Sequence, residues 1–245
     1  MILVPVKDFA NAKSRLAPVL SRAEREQLAR AMFANVLNAL CEARHPLLSA
    51  ARPAAIGIVT RDPEAIAMAQ QICPAGRYEI VHDEQNAGET EAIAAATQGA
   101  IARGAKFTLV IPGDAPLVTA AEIEQVLDAA PAEGTVLAPA RDGEGTNAIL
   151  RRPGDLFPLR FGNHSFAPHV CTAQATGKPV VILHLAGVAL DIDRPEDLAA
   201  LAAAAGELRA QRLVRDWRVA KRAHPGRWPA NPLMDEPDES RSERR

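Results

Sequence analysis

Aromatic residues are scarce in this chain, with 6 Phe, 2 Trp and 1 Tyr among 245 residues. A stacking platform for single-stranded nucleic acid has little raw material, and the core must be built from Ala, Val, Leu and Ile. An excess of one charge is also missing. Lys and Arg number 28 against 30 Asp and Glu, so no broad basic field draws in a polyanion, and no nucleic-acid partner is expected. The three cysteines, Cys41, Cys73 and Cys171, show no CxxC or Cys/His spacing, which removes support for a disulfide framework or a structural zinc site. No stretch reaches the roughly 18 uninterrupted apolar residues of a membrane span. The opening MILVPVKDF is too short for a signal peptide and has no basic region before its apolar run. The expectation is a soluble, cytoplasmic protein with no membrane partner. GxGxxG and the P-loop pattern are absent, so both nucleotide fingerprints fail.

What is present is an ordinary globular composition, 48% hydrophobic and 24% charged. Ile2 to Val6, Ala55 to Thr60, Tyr78 to Val81, Phe107 to Ile111 and Thr135 to Ala138 read as short buried strands. Amphipathic stretches near 22 to 43, 62 to 73, 89 to 103 and 119 to 130 separate them. This alternation predicts a layered α/β sheet. Ser21 and Glu24 form an S/T-x-x-E capping box that fixes the start of the first helix. Beyond Ala138 the pattern predicts a strand at Asn147 to Leu150, a loop from Pro153 to Asn163 and a helix at Ala167 to Ala175. Strands at Val180 to Leu185 and Val188 to Ile192 and a helix from Pro195 to Ala205 follow. Residues 1–205 are thus expected to form the main domain. Residues 206–225 read as a basic helical extension packing Leu208, Leu213 and Val214 on the body. Residues 226–245, rich in proline and charge, read as a disordered tail.

Four blocks carry chemistry. PVKDFANAKSRLAP places Lys7, Lys13 and Arg15 within nine residues directly after the first strand, at the carboxyl edge where such sheets bind ligands. Three cations there suit a polyphosphate. LVIPGDAPLVT ends a strand on Asp114 at the same edge, where a carboxylate suits Mg²⁺. In ALDIDRPEDL an extended backbone would put Asp191 and Asp193 on one face, and their repulsion is tolerable with a cation between them. Asp197 and Glu196 read as first-turn helix residues. Finally, APARDGEGTNAILRRP and FGNHSFAPH offer Thr146, Asn147 and Ser165 as neutral donors, with Gly162 leaving room for a ligand. His164 and His169 read as surface or helix-start residues.

These blocks, in this order, resemble the guanylyltransferase family of coenzyme F(420) biosynthesis, whose members couple GTP to a small phosphorylated three-carbon acid. The resemblance covers roughly residues 1 to 205 through PVK with AKSRL, PGDxPL, RDGxGTNA, FGxxSF and LDIDxPEDL. It implies the nucleotide-diphospho-sugar transferase fold, a Rossmann-like α/β/α sandwich on a mixed, mostly parallel sheet. It also implies Mg²⁺ on Asp114, Asp191 and Asp193, and the phospho-acid on Thr146, Gly162 and Ser165. Lys7, Lys13 and Arg15 would take the nucleotide phosphates, with Lys13 and Asp114 the catalytic pair. Nucleobase and ribose would lie near Asp83, Gly88 and Thr90, in a segment that departs from the Gly-Leu-Asn of many members.

The implied chemistry suits these residues. A phosphate ester attacking the α-phosphorus of GTP is already ionised near neutral pH, its second pKa being about 6, so no general base is needed. Alignment and charge neutralisation remain. The implied acids are phosphoenolpyruvate, 3-phosphoglycerate and 2-phospholactate, with the first two favoured. The rival readings are a nucleotidyltransferase acting on a sugar phosphate or pterin, and a non-catalytic nucleotide-binding scaffold.

Overall fold

The computed structural model describes residues 1–49, 54–83, 88–162 and 164–219. Residues 84–87 of the expected nucleobase segment, residues 220–225 of the expected basic helix and the expected tail at 226–245 lie outside the described residues.

Among the described residues seven strands form one sheet: β1 (Ile2–Pro5), β2 (Ile56–Thr60), β3 (Tyr78–His82), β4 (Thr108–Val110), β5 (Gly134–Pro139), β6 (Thr146–Arg152) and β7 (Val180–Ile182), ordered β3-β2-β1-β4-β6-β5-β7. Only β6 runs antiparallel to its neighbours. The helices are α1 (Arg22–Glu42), α2 (Pro46–Ser49), α3 (Pro63–Ile72), α4 (Glu89–Ala102), α5 (Ala120–Asp128), α6 (Phe166–Ala175), α7 (Ala186–Ala189), α8 (Pro195–Ala203) and α9 (Arg209–Asp216).

Strand side chains alternate between faces, and the core divides accordingly. Ile2 and Val4 of β1 join Leu28, Phe33 and Val36 of α1, Ile123 of α5, Leu198 of α8 and Val214 of α9. Leu3, on the opposite face, joins Ile93 and Ala96 of α4 and Ala173 of α6. The result is the expected α/β/α sandwich. Each fully buried Leu, Ile or Val contributes about 1.5–3 kcal/mol, so these two layers, rather than surface ion pairs, hold the sheet. The Ser21 capping box forms as expected. Asp62 caps α3 through Glu64 and Ala65, and its second oxygen accepts from the Phe9 N–H at 2.7 Å, anchoring the loop after β1 to the end of β2.

The expected strand at Val188 to Ile192 is absent: α7 occupies 186–189 and irregular chain follows. Val188, Leu190 and Ile192 are buried with the alternation of a strand, yet they face the helical layer and pair with no other strand. Gly187 explains the docking. A Cβ there would lie 2.2 Å from the Leu117 carbonyl oxygen, and its N–H donates to Glu122 Oε1 at 2.7 Å. Strand β7 is likewise shorter than expected. Helix α9 buries Ala210 and Val214, whereas Leu208 is 40% exposed.

Candidate active site

Six strands end at one edge of the sheet, and the antiparallel β6 begins there. The loop after β1 places Lys13 in a left-handed conformation, φ 56° and ψ 40°, a strained geometry for a residue with a side chain. What holds it is visible in its ammonium. Nζ donates to Asp114 Oδ2 at 2.5 Å and to Asp193 Oδ1 at 2.8 Å, with the Lys13 side chain only 8% exposed. Burial alone would lower the Lys13 pKa, but the two carboxylates outweigh it and raise it.

Asp114 reaches this point because Gly113 passes close to β1. A Cβ on Gly113 would lie 3.1 Å from the Pro5 carbonyl oxygen. The Asp114 carbonyl oxygen accepts from the Ile192 N–H at 3.2 Å, tying the β4 turn to the loop that carries Asp191 and Asp193. Arg15 Nη1 reaches Asp193 Oδ2 at 3.3 Å. Burial opposes the Asp193 charge, but Lys13, Arg15 and Lys7 hold its carboxyl below the usual range. Asp197 is the first-turn residue expected, its Oδ2 accepting from the N–H groups of Asp193 and Arg194.

Asp191 stands apart from that pair. Its Oδ1 accepts from Asn147 Nδ2 at 3.0 Å. Burial pushes its carboxyl up to about 6, the Asn147 bond pulls against this, and Asp114 and Asp193 add to the rise. The three aspartates therefore sense one another, although no three His, Cys, Asp or Glu side chains among the described residues are grouped as metal ligands. The donor set is all carboxylate oxygen, the type hard divalent cations prefer. Asn147, expected to offer its amide to a ligand, instead donates to Val188 O, Ala189 O and Asp191. It clamps the loop after α7 to β6.

Lys7 lies outside this cluster, 78% exposed in its side chain and 3.6 Å from Glu89 Oε2. Glu89 was not anticipated. Burial pushes its carboxyl up, Lys7 pulls against that, and Asp114 and Asp193 push it further. Gly88, with φ 130°, precedes α4. The Thr90 hydroxyl accepts from the Phe161 N–H at 3.0 Å, so Thr90 touches the loop that carries Gly162 as well as the expected nucleobase segment. Asp83 follows β3, its N–H donating to Thr60 O at 3.3 Å.

On the β6 side, Thr146 and Ser165 meet as expected and are both buried, at 9% and 5% exposure. The Thr146 N–H donates to Ser165 Oγ at 3.1 Å, and the hydroxyls lie 3.3 Å apart. Ser165 thus turns towards β6 and does not cap α6. A Cβ on Gly162 would meet no atom of the described residues within 4 Å, so no neighbour in the chain demands glycine there; its φ of +136° does. His164 is exposed beside Glu144. His169 is a different case from the one expected: it is buried, with Nδ1 2.9 Å from Thr146 Oγ1. Its position four residues after Ser165, on the same helix face, was the available signal.

The guanylyl transferase CofC-like family matches residues 1–226. The chain belongs to that family. It is 38% identical over 200 residues to the phosphoenolpyruvate guanylyltransferase of Sphaerobacter thermophilus, covering 82% of this chain and 91% of that protein. It is 33% identical over 198 residues to the 2-phospho-L-lactate guanylyltransferase of Methanothermobacter thermautotrophicus, covering 80% and 81%. Among solved structures it is similar to a protein from Desulfovibrio desulfuricans G20 assigned to the nucleotide-diphospho-sugar transferases. That match has TM-score 0.69 and 19% identity over 90% of this chain and 96% of the other. A nucleotidyl transferase from Methanothermobacter matches with TM-score 0.55 and 17% identity over 88% and 99%. These structures share the fold. The chain is a nucleotidyltransferase, which sets aside the scaffold reading, and among the described residues no helix is long and apolar enough to cross a membrane.

Proposed function

We propose that the enzyme transfers GMP from GTP to a small phosphorylated three-carbon acid with release of diphosphate, as a step in coenzyme F(420) biosynthesis. The observation that carries this reading is the buried Lys13 ammonium held between Asp114 and Asp193. It sets one cation and two carboxylates, drawn from three distant parts of the chain, at the sheet edge where phosphates must align. In this reading Lys13, Arg15 and Lys7 take the triphosphate, and Lys13 and Asp114 are the catalytic pair. Asp83, Gly88 and Thr90 border the nucleobase and ribose.

Asp114, Asp191 and Asp193 would hold Mg²⁺. When bound, that ion supplies charge neutralisation on the phosphate oxygens. The attacking phosphate of the acid is ionised already, so the side chains align and neutralise, and none has to remove a proton. Thr146, Ser165 and the main chain at Gly162 orient the acid. The relatives named for phosphoenolpyruvate favour that acid for this chain; 3-phosphoglycerate and 2-phospho-L-lactate are the alternatives.

Diphosphate release from GTP and Mg²⁺, measured with each of the three acids in parallel, tests the reading. Release with phosphoenolpyruvate, lost on chelation of the metal, is the expected result. No release with any phospho-acid and any nucleotide would overturn it. Release only with a sugar phosphate or pterin would transfer the enzyme to the rival class.

A further inference from the structure

His169 is 2% exposed, and both of its ring nitrogens are engaged. Nε2 accepts from the Arg160 backbone N–H at 3.0 Å, so it carries a lone pair. The proton of a neutral ring is then on Nδ1, the atom 2.9 Å from Thr146 Oγ1; this tautomer is assigned from the hydrogen-bond network. Burial, then the charge of Arg151, lowers the His169 pKa to about 4, which keeps the ring neutral at physiological pH.

The assignment constrains the hydroxyl pair. Thr146 Oγ1 accepts from His169, and Ser165 Oγ accepts from the Thr146 N–H. The pair has two O–H protons, and one bridges the two oxygens at 3.3 Å. The second has no acceptor among the described residues, so it points out of the pair. A hydroxyl pair fed this way is a net donor, which matches an oxyanion and mismatches a cation. The same ring anchors the chain two residues before Gly162, through the bond that its Nε2 accepts from the Arg160 N–H. The Phe161 ring packs edge-on to the imidazole at 5.5 Å.

We propose that His169 is a positioning residue of the acid site: its Nδ1–H and Nε2 lone pair hold Thr146, Ser165 and the loop before Gly162 in register, so that the hydroxyl pair presents a proton to the anionic acceptor substrate. This rests on the acid site proposed above.

Two isosteric variants separate the two bonds. In His169→Asn the amide nitrogen falls near the position of Nδ1 and keeps the donor to Thr146; in His169→Gln the amide oxygen falls near Nε2 and keeps the acceptor for Arg160. His169→Gln should raise the KM for the acid about tenfold, as for one lost hydrogen bond to a charged group, with the KM for GTP within twofold of wild type. His169→Asn should recover most of that loss. Equal damage to both substrates' KM values, or none to either, would overturn the proposal. Long-range ¹H–¹⁵N spectra of the histidine-labelled full chain give a readout independent of folding in the variants. His169 should appear as the Nδ1–H tautomer between pH 6 and 8, and an Nε2–H tautomer or an imidazolium would overturn the assignment. Thr146→Val distinguishes the two levels. If it leaves use of the acid unchanged, the acid site itself is misplaced; if it impairs the acid while both His169 variants do not, only the role of His169 fails.

Discussion

Beside β1 and β4 the functional groups are charged, and they are joined across 101 residues for Lys13 to Asp114 and 180 for Lys13 to Asp193. Beside β6 and α6 they are neutral, and they are joined across 19 residues for Thr146 to Ser165 and 23 for Thr146 to His169. The first cluster stays open to solvent on its acidic side, with Asp114 and Asp193 side chains 35% and 43% exposed. The second is buried, and its internal hydrogen bonds leave one hydroxyl proton to donate outward. A site that must accept a highly charged ligand keeps charges that can change partners. In the proposed reading the neutral side tells a small acid from its analogues by fixed directional donors, because a buried donor left unpaired penalises the wrong ligand.

The largest expected effect lies on the charged side. Lys13→Ala should reduce diphosphate formation by about a thousandfold or more, since it removes both a phosphate contact and the counter-charge of two carboxylates. Near-normal single-turnover rates would dissolve the contrast between the two sides. Asp191→Asn should lower activity by about a hundredfold or more in Mg²⁺, while raising the stability of the metal-free protein at pH 7.5 by about 2 kcal/mol. The sign follows from a native pKa raised to about 6 from 3.8: the native state is penalised above pH 6, and the penalty fades as pH falls from 6 to about 4. Denaturant midpoints of the two proteins across that range check this, and an unchanged midpoint at pH 7.5 would count against it.

On the neutral side the effects are smaller and confined to one substrate. Thr146→Val should lower kcat/KM for the acid by about ten- to a hundredfold, leaving the KM for GTP unchanged; parallel loss for both substrates would erase the division. Acid should act there in the opposite direction from Asp191. His169 has a native pKa lowered to about 4 from 6.5, so the unfolded chain takes its proton first and stability is lost as pH falls from 6.5 to 4, by up to about 3 kcal/mol. His169→Gln should flatten that part of the stability profile. The smallest expected effect is at Gly162, where Ala should cost about 1 kcal/mol in thermal unfolding because φ there is +136°. An unchanged unfolding midpoint would show that backbone conformation does not set the requirement.

The alternating sheet, the cap at Ser21, and the gathering of Lys13, Arg15, Asp114 and Asp193 at one sheet edge were legible because each follows from a local pattern: a strand end, a turn, a periodic helix. The stretch from Val188 to Ile192 was not. Its alternating burial is real, but it arises from contact with the helical layer, and period two in a sequence reports burial without reporting a ladder partner. Asn147 and His169 were also misread. Their roles depend on which way an amide and an imidazole face, and in both cases the partners include a backbone group that the sequence does not distinguish. Glu89 was missed because its neighbours Lys7 and Asp114 lie far from it in the chain.

Strand β6 runs against the rest of the sheet, and this separates the two halves of the site by the way the chain reaches them. Parallel strands deliver their last residues to the working edge, so Lys13 and Asp114 lie on the connections that lead from β1 and β4 to α1 and α5. The reversed strand delivers its first residues there, fed by the tight turn at 140–145. The loop from 153 to 162 returns to the same edge from the far end of β6. Insertions or exchanges in those two connections can reshape what meets Thr146 without altering the register of any parallel pair. The charged half of the edge is thereby tied to the parallel ladder, whereas the neutral half rests on two connections that can change in length independently of it.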